Sequence, residues 1–221
     1  MGRPSIIVFD LDGTLIEFRL ELSEAKQRIV EMLVEKGVPA PMVSPKDSIH
    51  VLLQKTEQIL GIKSGSELRE SVLKIMKEYE IRAAQQSQPR KGVPQLLHTL
   101  KEQGFRLAVA TNTHREAALL SLSRASILGL FEALVTRDDV SNMKPRGDVL
   151  KRLLDLLNAT PEIVLYVGDS IHDLQAAREA GVAFIGVEGG VHTRLDLEAA
   201  GCSTVIREPL ELLHYLELTT A

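Results

Sequence analysis

Apolar residues along the chain fall into two kinds of segment, short continuous runs and longer stretches with helical spacing. The short runs are rich in Val, Ile, Leu and Ala, which is the pattern of strands covered on both faces. We predict strands at 5–10, 105–110, 133–136, 163–168 and 182–187, with a weaker one at 204–206. Helical patterns between them lie at 93–103, 115–128, 147–157, 171–180 and 194–200. This alternation predicts a parallel sheet with right-handed crossovers, and so a doubly wound α/β domain.

One interval interrupts the alternation. Between about residues 16 and 88 there is no strand pattern, whereas helical patterns occur at 22–36, 45–60 and 66–86. Two breakers separate them, "GVPAPMVSP" at 37–45 and "GIKSGS" at 61–66. We therefore predict an all-helical cap domain at 16–88, inserted after the first strand of a core formed by 1–15 and 89–221.

Composition and charge exclude several classes of protein. With 221 residues, 44% of them hydrophobic, the chain can bury a sizeable core. Its 30 acidic and 26 basic residues are scattered and give a net charge of -4, which offers no electrostatic case for nucleic acid or a membrane as partner. A single cysteine, Cys202, excludes an internal disulfide, and no Cys or His spacing suits zinc. Without a signal peptide or a transmembrane pattern, we expect a cytoplasmic protein.

The first candidate chemistry is a pair of carboxylates in "SIIVFDLDGTL". Asp10 ends the first predicted strand, and Asp12 follows in a turn signalled by "DG". The carboxyl edge of an open α/β sheet is where ligands bind. Since two nearby carboxylates repel each other unless a cation or a proton lies between them, the pair suits a divalent metal, a nucleophile with its acid/base partner, or both. The alternative is an ordinary solvated Asp-Gly turn.

A second carboxylate pair follows the fourth predicted strand, in "IVLYVGDSIHDLQAAREAG". Asp173 lies four residues after Asp169, a spacing that places both on one face of a helix. Asp169 alone would also make an ordinary helix cap, with Asp173 in the first turn. Taken with Asp10 and Asp12, however, the pair gives four acids at the ends of two strands. Oxygen ligands of this kind favour Mg²⁺ over Zn²⁺.

Two further segments supply groups for phosphate. Thr111 and Asn112 end the strand in "FRLAVATNT", where a hydroxyl and free backbone amides can hold phosphate oxygens. Lys144 precedes a proline in "NMKPRG", which favours a loop, and its point charge would face both the acids and an incoming phosphate. Read separately, these are a common helix cap and a solvated lysine.

Together these four motifs resemble the haloacid dehalogenase superfamily, specifically its phosphatases with a helical cap after the first strand of a Rossmann-like core. The matching segments are "DLDGTL", the strand ending in Thr111, Lys144 in "KP", and "GDSIHD". The tail "GVEGGVHTRLDLEAAGCSTVI" is similar to the phosphoglycolate phosphatase branch. One departure is "KPRGD", which lacks the second proline common among relatives and makes the shape of that loop less predictable.

The resemblance implies a role for each residue. Asp10 would attack phosphorus to form an aspartyl phosphate, and Asp12 would act as general acid and then base. Mg²⁺ would be held by Asp10, the backbone carbonyl of Asp12 and Asp169, with Asp173 binding it directly or through water and orienting Lys144. Phosphoryl oxygens would be bound by the side chains of Thr111 and Lys144 and by the backbone amide of Asn112. The cap would close over the site and select the leaving group.

Three functions remain open on the sequence. The first is a Mg²⁺-dependent phosphomonoester phosphatase acting on a small phosphorylated metabolite. The second is a sugar phosphomutase or pyrophosphatase of the same family, and the third is a non-catalytic phosphate-binding protein. Arg19, Arg82, Arg90 and Lys91 are cations of the cap or hinge that would suit a substrate carboxylate or second phosphate, although any one of them fits a solvated helix face equally well. The oligomeric state is not indicated.

Overall fold

The structure is a computed structural model that describes residues 4–17 and 20–217. It divides into two compact units, one formed by Met1–Phe18 with Ser87–Ala221 and the other by Arg19–Gln86. The predicted hinge cation Arg19 lies outside the described residues. The exact limits of the inserted domain, predicted at 16 and 88, stay a prediction.

The larger unit contains a six-stranded parallel sheet. Its strands in chain order are β1 Ile6–Phe9, β2 Arg106–Ala110, β3 Ala133–Val135, β4 Val164–Gly168, β5 Ala183–Val187 and β6 Val205–Ile206. Their order across the sheet is β3-β2-β1-β4-β5-β6, and every neighbouring pair is parallel. All six predicted strands are present, which confirms the expected α/β architecture.

The described residues of the two units contain eight α-helices. They are α1 Leu22–Glu35, α2 Ile49–Ala84, α3 Val93–Glu102, α4 Arg115–Arg124, α5 Asp148–Leu157, α6 Ile171–Ala180, α7 Arg194–Ala199 and α8 Glu211–Tyr215. The sequence pattern extends α4 to residue 128, but the helix ends earlier because Ser126 adopts a left-handed φ of 58°. A short 3₁₀ turn at Leu128–Leu130 follows.

Two hydrophobic clusters show why this sheet needs helices on both faces. Successive side chains of a strand point to opposite faces, so Ile7 and Phe9 of β1 lie in one cluster and Ile6 and Val8 in the other. The first cluster is completed by α3, α4 and α8, and the second by α5 and α6. Burial on both faces explains the continuous apolar runs in the sequence and gives the doubly wound, Rossmann-like arrangement.

The regular elements in the described residues of the smaller unit are all helical, namely α1, α2 and a 3₁₀ turn at Ala40–Met42. The predicted breaker at 61–66 is present only at its first residue: Gly61 leaves the helical conformation, at φ 78° and ψ 167°, and the helix resumes at once. Gly65 is helical and closely packed, since a Cβ there would lie 2.8 Å from Cγ of Glu57. The first of the two segments also starts later than the predicted residue 45, after the N-cap Ser48. Among the described residues, no helix has the length and apolar character needed to cross a membrane.

Candidate active site

The ends of three adjacent strands bring the predicted site residues to one edge of the sheet. β1 lies between β2 and β4, and the three run parallel, so their carboxyl ends meet. Asp10 follows β1, Thr111 follows β2 and Asp169 follows β4. The backbone amide of Asp10 donates to the carbonyl of Val167 at 2.9 Å, which continues the strand pairing up to the first carboxylate.

The turn after Asp10 explains the glycine in "DLDGTL". The amides of Leu15 and Ile16 both donate to the carbonyl of Leu11, at 2.9 Å each, and close a tight turn. Gly13 within it has a φ of 84°, a conformation that glycine adopts without steric cost. A Cβ at Gly13 would also lie 2.7 Å from Oδ2 of Asp169. Glycine is therefore required both by the backbone and by the close approach of a second carboxylate.

Three carboxylates converge beyond this turn. Oxygens of Asp10, Asp169 and Asp173 all lie within 4.8 Å of one another, and each side chain is buried. The carboxylate of Asp12 is not part of this group, and its Oδ2 accepts a hydrogen bond of 2.5 Å from the hydroxyl of Thr113. The predicted acids thus occupy one strand edge, with three of them forming a close cluster.

The geometry behind the second pair differs from the one expected. Asp169 lies outside α6, so the two acids do not share a helical face, and the N-cap is Ser170 rather than Asp169. Asp173 forms a capping box with Ser170, whose backbone amide donates to Oδ2 of Asp173 at 3.0 Å. Its other oxygen, Oδ1, points to Lys144. A strand end and a helix cap, not a spacing of four residues, bring Asp169 and Asp173 together.

Lys144 is buried between the acids. Its Nζ lies 2.6 Å from Oδ1 of Asp10 and 2.6 Å from Oδ1 of Asp173. It also donates towards the Tyr166 hydroxyl at 2.9 Å and the carbonyl of Ala110 at 3.2 Å. The side chain is only 5% exposed, so these contacts replace its hydration. The lysine is therefore not the solvated surface residue that was the alternative reading of "NMKPRG".

The single positive charge of Lys144 does not balance the three buried carboxylates, and the pKa values of all four groups are shifted. Burial raises the pKa of Asp10 well above its usual value. Burial, with the charge of Asp173 added, raises the pKa of Asp169 to about 6. For Asp173, burial acts in the same direction, but Lys144 outweighs it and holds the pKa below the usual value. Burial opposes the charge on Lys144, yet Asp10 and Asp173 together raise the pKa of the ammonium.

The cluster fits a hard divalent cation. Its donor set consists of carboxylate oxygens, the ligands preferred by Mg²⁺. Positive charge there would offset both the burial and the mutual repulsion that raise the pKa of Asp10 and Asp169. Within the described residues, the acidic, His or Cys side chains that lie close enough together to share an ion in a group of at least three are those of Asp10, Asp169 and Asp173.

Asn112 has a contact that the sequence does not reveal. Its carboxamide pairs with the backbone of Lys144 in both directions, donating from Nδ2 to the carbonyl at 3.0 Å and accepting at Oδ1 from the amide at 2.8 Å. The buried Arg137 donates from NH1 to the carbonyl of Asn112 at 3.1 Å. These bonds fix the lysine loop to the end of β2. The predicted contact of the Asn112 amide with phosphate stays a prediction.

Several supporting residues were missed. The hydroxyl of Thr14 lies 3.2 Å from Oδ1 of Asp169, and the amide of Val191 donates to its Oδ2 at 2.6 Å. Gly190 allows this loop to approach, since a Cβ there would lie 1.9 Å from Oδ2 of Asp169. Tyr166, inside β4, donates to Oδ1 of Asp173 at 2.6 Å. A lone tyrosine in an aliphatic strand was the one available signal; the loop contacts depend on distant segments.

The proposed hinge cation Arg90 has another role. It is half-buried, and its two NH groups donate to the backbone carbonyls of Gly13 and Glu188. It therefore links the turn after Asp10 to the end of β5. Arg90 therefore does not lie on a solvated helix face, and its contact with a substrate anion stays a prediction.

Comparisons with known proteins agree with this geometry. Residues 7–187 match the family model described as haloacid dehalogenase-like hydrolase. A pyrophosphatase PpaX from Halalkalibacterium halodurans is 30% identical over 179 residues, covering 80% of each chain. A phosphoglycolate phosphatase from Nitrosospira multiformis is 28% identical over 204 residues, covering 90% of each.

A solved structure also resembles this chain in fold. The crystal structure of a hydrolase from Pseudomonas syringae has a TM-score of 0.78 and 25% sequence identity, and the match covers 96% of this chain and 98% of that one. With the family model spanning all four motifs and the strand edge assembled as described, the chain belongs to the haloacid dehalogenase-like hydrolases and is an enzyme of their phosphatase type.

Proposed function

We propose that the protein is a Mg²⁺-dependent phosphomonoester phosphatase that acts on a small phosphorylated metabolite through an aspartyl-phosphate intermediate at Asp10. The observation that carries the proposal is the buried cluster of Asp10, Asp169 and Asp173, in which Asp10 and Asp173 contact the ammonium of Lys144. A nucleophilic carboxylate needs cationic neighbours to approach a phosphate anion, and this cluster offers both a lysine and acidic ligands for a metal.

The proposed first step is transfer of the phosphoryl group to Asp10. A carboxylate oxygen of Asp10 forms a bond to phosphorus while the bond from phosphorus to the leaving oxygen breaks. Lys144 contacts Oδ1 of Asp10, and within the described residues no hydrogen bond reaches Oδ2, which makes Oδ2 the attacking atom in this proposal. Asp12 donates a proton to the leaving oxygen. In the second step Asp12 accepts a proton from a water whose oxygen bonds to phosphorus while the bond between phosphorus and Oδ2 of Asp10 breaks, which releases phosphate and restores the carboxylate.

Three groups are proposed to bind the phosphoryl oxygens. The hydroxyl of Thr111 accepts a hydrogen bond of 3.1 Å from the amide of Thr113, so its own proton is available to donate to a phosphoryl oxygen. The amide of Asn112 and the ammonium of Lys144 supply the other contacts. These donors are fixed before substrate arrives, which is the condition for electrostatic stabilisation of the transition state.

Mg²⁺ is proposed to bind Asp10, the backbone carbonyl of Asp12 and Asp169, with Asp173 binding directly or through water. When bound, the ion supplies positive charge that favours the ionised form of Asp10 and neutralises charge on the phosphoryl group.

Hydrolysis of p-nitrophenyl phosphate tests this proposal. We expect activity with Mg²⁺, none with EDTA, and none in Asp10→Asn, which retains the shape of the side chain and removes one charge from a crowded cluster. Asp155→Asn, which changes an exposed carboxylate on α5, is the matched control and should retain activity. A folded Asp10→Asn variant with activity near that of the control would overturn the covalent mechanism.

A second candidate substrate is inorganic pyrophosphate. It is favoured by the relative named pyrophosphatase PpaX, which shares 30% identity with this chain. The reaction is closely related, since the leaving group is then phosphate rather than an alcohol. Comparing kcat/KM for pyrophosphate, 2-phosphoglycolate and hexose phosphates separates the candidates, and release of free phosphate distinguishes hydrolysis from transfer within a sugar phosphate.

A further inference from the structure

The hydroxyl of Thr113 contacts a residue proposed to move protons. Thr113 Oγ1 donates to Oδ2 of Asp12 at 2.5 Å. A distance this short lies at the strong end of the range for hydrogen bonds between a hydroxyl and a carboxyl oxygen. Both side chains are only partly buried, so the bond forms at a surface that substrate and water can reach.

The position of Thr113 follows from the strand pairing. β1 and β2 are neighbouring parallel strands, with Phe9 opposite Val109. The turn after β1 carries Asp12, and the segment between β2 and α4 carries Thr113, so both lie just beyond the same edge of the sheet. Their contact is therefore a consequence of register between segments far apart in the chain.

Thr113 donates two hydrogen bonds, one from its backbone and one from its side chain. Its backbone amide donates to Oγ1 of Thr111 at 3.1 Å, while its side-chain hydroxyl donates to Asp12. A hydroxyl carries one proton, so this bond to Asp12 uses the donor capacity of the Thr113 side chain. A change of the side chain alone thus removes the contact with Asp12 and leaves the amide that orients Thr111.

We propose that Thr113 is a positioning residue that holds the Asp12 carboxylate in the orientation for proton transfer to the leaving oxygen. The proposal rests on the proposed function, in which Asp12 is the general acid. A carboxylate side chain without an anchor samples several rotamers, and proton transfer requires hydrogen-bond distance to one particular atom. Anchoring one oxygen of Asp12 to the end of β2 restricts that sampling.

The expected signature is a change in leaving-group dependence. Protonation of the leaving oxygen matters most for a poor leaving group and least for a good one. Thr113→Val should therefore lower kcat/KM about tenfold for phenyl phosphate and much less for p-nitrophenyl phosphate. Thr113→Ser retains the hydroxyl and should behave as the wild type. Because the amide of Thr113 remains, inhibition by inorganic phosphate should change by no more than about twofold.

A double-mutant cycle separates positioning from a purely structural effect. In an Asp12→Asn background, where the acid is absent, Thr113→Val should have little further effect on phenyl phosphate hydrolysis. Thr113→Ala provides the same loss of the hydroxyl in a smaller side chain, and it carries the test if the valine variant does not fold.

The outcomes are distinguishable. Equal losses on both aryl phosphates, failure of Thr113→Ser to retain the wild-type ratio, or an undiminished effect in the Asp12→Asn background would each overturn the positioning role while leaving the phosphatase proposal intact. A wild-type enzyme that hydrolyses neither aryl phosphate with Mg²⁺ would overturn the proposed function, and this inference with it.

Discussion

Replacing Asp169 with Asn should stabilise the metal-free protein at neutral pH. Asp169 is buried beside Asp173, and its pKa is raised from 3.8 to about 6. Each pKa unit corresponds to about 1.36 kcal/mol, so ionised Asp169 costs the folded state about 3 kcal/mol at pH 7. Asparagine removes this charge and retains an oxygen that can accept the hydrogen bond from the amide of Val191, which is 2.6 Å from Oδ2.

The sign of the pH dependence follows from the raised pKa. Between 3.8 and about 6 the folded state binds the proton of Asp169 more tightly than the unfolded state does, so wild-type stability falls as the pH rises through this interval. The advantage of Asp169→Asn should therefore be about 3 kcal/mol at pH 7 and roughly half of that at pH 5. Groups that titrate equally in the wild type and in Asp169→Asn do not contribute to the difference between their free energies of unfolding.

Urea unfolding in EDTA, followed by far-UV circular dichroism at several pH values, measures this difference. Asp155→Asn, at an exposed site on α5, should stay within about 0.5 kcal/mol of the wild type at every pH. Addition of MgCl₂ should stabilise the wild type but have little effect on Asp169→Asn. A variant no more stable than the wild type at pH 7 without metal, or an advantage that does not shrink at pH 5, would refute the electrostatic reasoning.

Three other substitutions test separate parts of the site. Lys144→Met should abolish phosphatase activity and lower the free energy of unfolding by about 3–5 kcal/mol, measured in urea, because Asp173 loses its buried cation. Gly190→Ala should raise the Mg²⁺ concentration needed for half-maximal hydrolysis at least about tenfold, since its Cβ would displace a metal-site loop. Gly129→Ala, where a Cβ meets nothing within 4 Å, is the control and should titrate as the wild type. Ser170→Ala removes the N-cap of α6 and should cost about 1 kcal/mol in the same urea assay.

The sheet was predictable because its strands are buried on both faces. A strand such as β4, with every residue buried, leaves a continuous apolar run that is visible in the sequence. The helical insertion was visible for the opposite reason, as a long interval without such runs. Its internal break does lie at Gly61 but is shorter than predicted, because two nearby glycines resemble a loop in sequence. In the structure only Gly61 of the two leaves the helical conformation. Gly65 is helical, and its lack of a side chain allows close packing against Glu57.

The site residues were predictable only where a polar side chain follows directly after an apolar strand. Asp10 and Asp169 follow apolar runs directly, so their convergence follows from a parallel sheet. The contacts of Thr113 with Asp12 and of Val191 with Asp169 join segments that are distant in the chain. Such contacts depend on register and loop conformation, which hydrophobic periodicity does not encode.

Detection of a phosphoryl group on Asp10 tests the central claim most directly. The Asp12→Asn variant, in which loss of the base should slow hydrolysis of the intermediate, is mixed with p-nitrophenyl phosphate and Mg²⁺, quenched in acid and mapped by peptide mass spectrometry. We expect one added phosphoryl group, located at Asp10 and absent when EDTA replaces Mg²⁺. Turnover with no phosphorylated intermediate, or a phosphoryl group on any other residue, would contradict it.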